Sequence, residues 1–245
     1  MEVTPGIHKV DGVNANVYLV FDQEQLMLID TGMPRNAKRI LDYVHKMNRK
    51  PSEITRIVLT HCHMDHVGSA QQLKQLTNAK VAVHREDAQF VAGEKALPFP
   101  RGAVGILFKV FSPFFKPRPV RPDIVLDDGD KVGRLTVVHT PGHTPGSISL
   151  YDSERKLIFV GDSMRFADGR ISGPPKQFTF DMNEALGSIA KISHLEFDVM
   201  LSGHGEPLKA NASHMVKEFY ASLEVAPPVG GHVLISDQHD QESSG

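Results

Sequence analysis

His61-Cys62-His63-Met64-Asp65-His66 decides the reading of this chain, because it sets three imidazoles and a carboxylate within six residues, directly after the β-rich run Arg56-Ile57-Val58-Leu59-Thr60. A buried strand followed at once by metal-type donors places them on a loop at the strand's C-terminal end, where rigid α/β scaffolds hold functional groups. The placement recurs three times downstream. His143 follows a strand ending at His139, within Pro141-Gly142-His143-Thr144-Pro145-Gly146; Asp162 follows Lys156-Leu157-Ile158-Phe159-Val160; His204 lies in Ser202-Gly203-His204-Gly205, after a strand near 197–201. Neutral imidazoles and carboxylates suit zinc, iron or manganese. Seven donors exceed one tetrahedral zinc, whereas two ions sharing a carboxylate use them all. The expectation is a site for two divalent ions, zinc first and iron or manganese next, with open positions for water.

Outward from this loop, β and α patterns alternate. Segments 15 to 21 and 26 to 30 form a hairpin ending at Asp30-Thr31-Gly32, and Ile40, Leu41, Val44 and Met47 give 35 to 49 helical spacing. A helix over 68–77 and a strand over 80–84 follow. Strands at 135–139, 147–151 and 156–160, helices near 181–195 and 210–224, and the strand between those helices complete an α/β layered fold. From about 93 to 122, prolines punctuate an apolar run with Phe99, Phe108, Phe111, Phe114 and Phe115. It reads as an inserted lid that covers core, lines a substrate pocket or contacts a second copy in a homodimer. Residues 1–225 form one domain with this insert, and 226–245 a polar C-terminal tail.

Composition narrows the partners. The chain has 245 residues, 40% hydrophobic and 23% charged, which excludes disordered and fibrous classes. Lys+Arg 27 against Asp+Glu 29 leaves no basic footprint for nucleic acid. Cys62 is the single cysteine, so no intramolecular disulfide forms. The N-terminus lacks the features of a signal peptide and no run approaches the ~20 apolar residues of a membrane span. The expected setting is cytoplasmic, with a small-molecule substrate, no nucleic acid and no membrane.

At these motifs the chain resembles the metallo-β-lactamase superfamily, whose hallmark is the HxHxDH loop followed by separate His, Asp and His ligands, often after an Asp-Thr-Gly strand end. The resemblance spans about residues 5 to 224. It implies a four-layer αββα sandwich with the Phe/Pro-rich lid inserted. It also implies one ion on His61, His63 and His143, a second on Asp65, His66 and His204, and Asp162 between them. Asp30 and Asp65 are the candidate catalytic residues. Asp30 would fix the orientation and tautomer of a ligating imidazole, and Asp65 would take up or deliver a proton.

A divalent ion lowers the pKa of bound water from 15.7 toward about 7, so the expected chemistry is hydrolysis of a small ester, thioester or lactone by a metal-bound hydroxide, with promiscuity toward β-lactams or phosphodiesters. The metal motif is similar to that of glyoxalase II, without that family's helical extension, and to that of the acyl-homoserine lactonases, whose apolar acyl pocket the insert could imitate. Two alternatives remain open: a mononuclear iron redox enzyme resembling the persulfide dioxygenases, and a module that metal merely staples. Cys62 reads as a buried spacer; His84, His139 and His194 as core or hydrogen-bonded; His8, His45, His214, His232 and His239 as surface. Arg165, Arg170 and Lys176 lie on an expected loop after Asp162 that an anionic substrate could reach. The residues identify no substrate contacts.

Overall fold

Leu26 and Leu28 point to one side of their strand and Met27 and Ile29 to the other, yet all four are buried. A strand apolar on both faces needs cover on both. The computed structural model, which describes residues 1–22, 25–96 and 117–224, supplies it with two sheets face to face and helices outside each. The first sheet runs in the order β1 (Glu2–Thr4), β2 (Ile7–Lys9), β3 (Tyr18–Asp22), β4 (Gln25–Ile29), β5 (Ile54–Val58), β6 (Lys80–His84) and β7 (Ile124–Leu126). Its first four strands pair antiparallel, and β4 to β7 pair parallel. The crossovers between the parallel strands carry α1 (Ala37–Lys46), then α2 (Met64–Val67) with α3 (Ala70–Thr77), then α4 (Arg85–Val91).

The second sheet contains β8 (Lys131–Val132), β9 (Leu135–His139), β10 (Ile148–Asp152), β11 (Leu157–Gly161) and, after the small hairpin β12 (Arg165–Ala167) and β13 (Arg170–Ser172) and helix α5 (Met182–Ser193), β14 (Val199–Ser202). Its order is β14-β11-β10-β9-β8. Helix α6 (Ala212–Glu224) packs beside α5.

Three apolar clusters follow from the alternation. Leu26, Leu28, Ile57 and Val81 meet Ile40, Val44 and Leu73 of the outer helices α1 and α3. Met27, Ile29, Val58 and Ala82 meet Val137, Ile148, Leu150 and Phe159 between the sheets. Ile158, Val160 and Met200 meet Ile189, Ile192 and Val216 of α5 and α6. The layers are therefore αββα, as expected. Among the described residues no helix is long and apolar enough to cross a membrane.

Several local expectations change. The segment around Asp65 and His66 is a helical turn, α2, rather than loop throughout. Arg165 and Arg170 sit on the hairpin β12–β13, and Lys176 opens a 3-10 turn, Lys176–Phe178. His8 is half-buried against Tyr43 and Phe21 instead of being a free surface residue. His84 and His139 stack at 3.9 Å, and exposed His194 bonds the Ala190 carbonyl. The Phe-rich part of the insert (97–116), the tail (226–245), His232 and His239 lie outside the described residues.

Candidate metal centre

The seven donors come from strand ends of both sheets and converge at one edge of the sandwich. Among the described residues, three groups have ligand atoms all within 4.8 Å of one another: His61, His63 and His143; His61, His66 and Asp162; Asp65, His66 and His204. The first and third bring together the residues named above for each ion, and the second joins His61 of one set to His66 of the other through Asp162. Asp162 lies between them, with Oδ1 3.5 Å from His66 Nε2. Its Oδ2 is 3.5 Å from His143 Nε2 and 3.4 Å from His204 Nε2.

Among the described residues, His61 Nε2, His66 Nε2 and Asp162 Oδ1 are buried without a hydrogen-bond partner. One such orphan costs about 1–3 kcal/mol, so three aimed into one space require a ligand that satisfies them together. Five imidazoles and two carboxylates fit divalent zinc, iron or manganese.

Hydrogen bonds behind the imidazoles set their tautomers. Asp30 accepts from Thr60 N–H at 2.8 Å, from the Thr60 hydroxyl at 2.7 Å and from His66 Nδ1–H at 2.7 Å. Since the Thr60 proton goes to Asp30, its oxygen accepts from His61 Nδ1–H, 3.0 Å away. The Thr179 hydroxyl likewise donates to the Pro175 carbonyl, which leaves its oxygen to accept from His143 Nδ1–H at 3.3 Å. With each Nδ1 committed to the partner behind its ring, Nε2 is the nitrogen of His61, His66 and His143 that faces the site, and His143 Nε2 lies 2.9 Å from His63 Nδ1. Both Asp30 oxygens face these polypeptide donors, an arrangement that holds the His66 ring directly and the His61 ring through Thr60.

The His204 loop is clamped from the N-terminal strands. Asn16 Nδ2 donates to the Ser202 and Gly205 carbonyls at 2.8 and 3.1 Å, and the Tyr18 hydroxyl donates to the Ser202 carbonyl at 2.9 Å. A Cβ at Gly203 would stand 2.2 Å from Asp162 Oδ1 and 2.7 Å from His66 Cε1, so only glycine permits this approach. Asn16, Tyr18, Thr60, Thr179 and the buried Asp87, described below, carry no motif and escaped the sequence reading. Cys62 is a buried spacer whose thiol pKa burial pushes well up.

Charge divides the site in two. Burial holds His61 well below its ordinary pKa, His63 at about 4 and His143 at about 3. Burial also opposes charge on His66, but the carboxylates of Asp162, Asp30 and Asp65 outweigh it and raise that pKa to about 9. Hydrogen bonds to Asp162 and Asp65 raise His204 to about 10. Burial would raise Asp65 and Asp162, yet the His66 charge and the His204 hydrogen bond keep both below the usual carboxylate range.

Near pH 7 the first set therefore meets a cation with neutral nitrogens, whereas the second must lose the His66 and His204 protons. Loading the second ion is expected to release about two protons, and the first almost none. Affinity at the second set should rise with pH up to about 9 to 10, while the first stays flat above about 4. Calorimetry in buffers of different ionisation enthalpy measures this; equal release for both ions would contradict the division.

A model of the metallo-β-lactamase superfamily matches residues 10–204. A probable metallo-hydrolase of Bacillus subtilis, YflN, is 30% identical over 229 residues, covering 84% of this chain and 86% of that protein. The human acyl-coenzyme A thioesterase MBLAC2 is 32% identical over 170 residues, covering 62% of this chain and 58% of the relative. A solved metallo-β-lactamase family protein of Thermus thermophilus superposes with a TM-score of 0.69 at 22% identity, over 91% of this chain and 81% of that one.

Proposed function

The chain belongs to the metallo-β-lactamase superfamily, and from that premise we propose that it is a dinuclear metal-dependent hydrolase of small esters, thioesters or lactones, with an acyl thioester as the leading substrate class. The observation that carries the reading is the pair of ligand sets meeting at Asp162, with three buried polar atoms there that no described residue satisfies. His61, His63 and His143 would hold one ion and Asp65, His66 and His204 the other. When bound, divalent ions would supply a nucleophilic water at neutral pH and Lewis-acid polarisation of the scissile carbonyl.

The chain's own groups do the rest. Asp65 is 30% exposed, whereas Asp162 is 10% exposed, so Asp65 is the acid that solvent and substrate reach. Bound to the second ion through one oxygen, it would be ionised and would enter the cycle as a proton acceptor. Phe180 lies 6.5 Å from the His63 ring and 6.1 Å from Phe90, giving an apolar wall beside the first set that suits an acyl group. The similarity to a protein named as an acyl-coenzyme A thioesterase supports the thioester within this class.

The test combines metal analysis of protein purified without added metal with a panel of acyl thioesters, esters and lactones. About two divalent ions per chain and thioester turnover that chelation abolishes are expected. A single iron with oxygen uptake on a persulfide, or no hydrolysis by the two-ion protein, would overturn the reading.

A further inference from the structure

Asp87, in the first turn of α4, is fully buried, and its hydrogen bonds join two loops distant in sequence. Its Oδ2 accepts from Cys62 N–H at 2.8 Å, between His61 and His63, and from the Thr144 hydroxyl at 2.7 Å, next to His143. Its Oδ1 accepts from Gly146 N–H at 2.7 Å. A carboxylate so deep is expensive unless donors surround it, and here these donors come from the loops that carry His61, His63 and His143. Burial still pushes its pKa up.

The surroundings are built to this contact. A Cβ on Gly146 would stand 2.5 Å from Asp87 N and 2.6 Å from its Cγ, so the loop can reach the carboxylate only as glycine. Ser147 Oγ accepts from Thr144 N–H at 2.9 Å and lies 2.9 Å from the Thr144 hydroxyl, which aims that hydroxyl at Asp87. His139 Nε2 donates to the Pro145 carbonyl at 2.9 Å while its ring stacks on His84, the residue that caps α4. The first turn of α4 thus holds the His143 loop from two sides.

We propose that Asp87 is the positioning residue of the first ligand set, fixing the spacing between the His61–His63 loop and the His143 loop so that three imidazoles converge on one ion. This rests on the dinuclear reading above. The second set has separate supports: Asp30 on His66, with Asn16 and Tyr18 on the His204 loop. Loss of the Asp87 contacts should therefore weaken one ion and spare the other.

The experiment measures zinc dissociation constants by chelator competition in two backgrounds, His204→Ala, which leaves the first set, and His143→Ala, which leaves the second. Asp87→Asn keeps the size but presents a donor to donors. It is expected to weaken zinc about 10- to 100-fold in the His204→Ala protein and to leave the His143→Ala protein unchanged. Thr144→Val, which removes one donor, should shift the first set in the same direction by less, and Thr144→Ser should restore it. Should Asp87→Asn not fold, the Thr144 pair decides alone. Unchanged first-set affinity, or equal weakening of both backgrounds with a lower metal-free melting temperature, would overturn the proposal and leave the dinuclear reading intact. Wild-type protein that binds no divalent ion would overturn both.

Discussion

Asp162→Ala is expected to release both ions together and to lower kcat/KM by about 10³-fold, since the loss of metal-supplied charge stabilisation amounts to several kcal/mol at 1.36 kcal/mol per decade. Its two oxygens face different partners: Oδ1 the second set through His66, Oδ2 both sets through His143 and His204. Removing them would take a donor from each ligand set and the charge that lies between the sets. The same substitution removes one of the carboxylates that hold His66 near a pKa of about 9, so that imidazole should titrate lower in the metal-free variant. Metal content per chain after dialysis, measured beside turnover, checks the expectation. Loss of one ion with the other retained at wild-type affinity would contradict the shared role of Asp162.

The donors were legible in the sequence because each stands at the end of a strand with an unmistakable apolar pattern. Ile57 to Leu59 and Ile158 to Val160 are buried runs, and the residue types just beyond them have few uses other than metal binding or acid–base work. Strand ends of two sheets that pack face to face must come together at an edge, so the fold and the site are one inference.

The framework behind the donors was not legible. Asp87 stands in Arg85-Glu86-Asp87, which reads as the charged face of a surface helix; its burial depends on where α4 meets a loop 59 residues away. Thr60 and Thr179 act through single hydroxyl protons, whose direction follows only from the acceptors beside them. The hairpin β12–β13 has strands of three residues each, too short for a period-2 pattern to register.

Asp30 allows the orienting function to be separated from the structural one. Asp30→Ala removes the acceptor of Thr60 N–H, the Thr60 hydroxyl and His66 Nδ1–H at once, inside a site where Asp30 is 1% exposed. Each buried donor left unpaired costs about 1–3 kcal/mol, so this variant should lose thermal stability as well as metal affinity. Asp30→Asn should keep its thermal stability. Asp30 has φ 59°, a left-handed conformation that asparagine tolerates, and an Asn Oδ1 can still accept from Thr60 N–H. What changes is the other atom. An amide nitrogen in place of Oδ2 donates to His66 Nδ1 and moves that ring's proton to Nε2, facing the metal. It also donates to the Thr60 oxygen, whose proton then turns to His61 Nδ1 and forces the same exchange there. Two rings would present donors where a cation needs lone pairs. The expected result is a melting temperature close to wild type for metal-free Asp30→Asn, with metal affinity and activity lower by about 10- to 100-fold. Thermal unfolding paired with chelator competition measures both quantities. If Asp30→Asn binds both ions as tightly as wild type while Asp30→Ala does not, Asp30 supports the fold alone, and the tautomers of His61 and His66 are set by other groups.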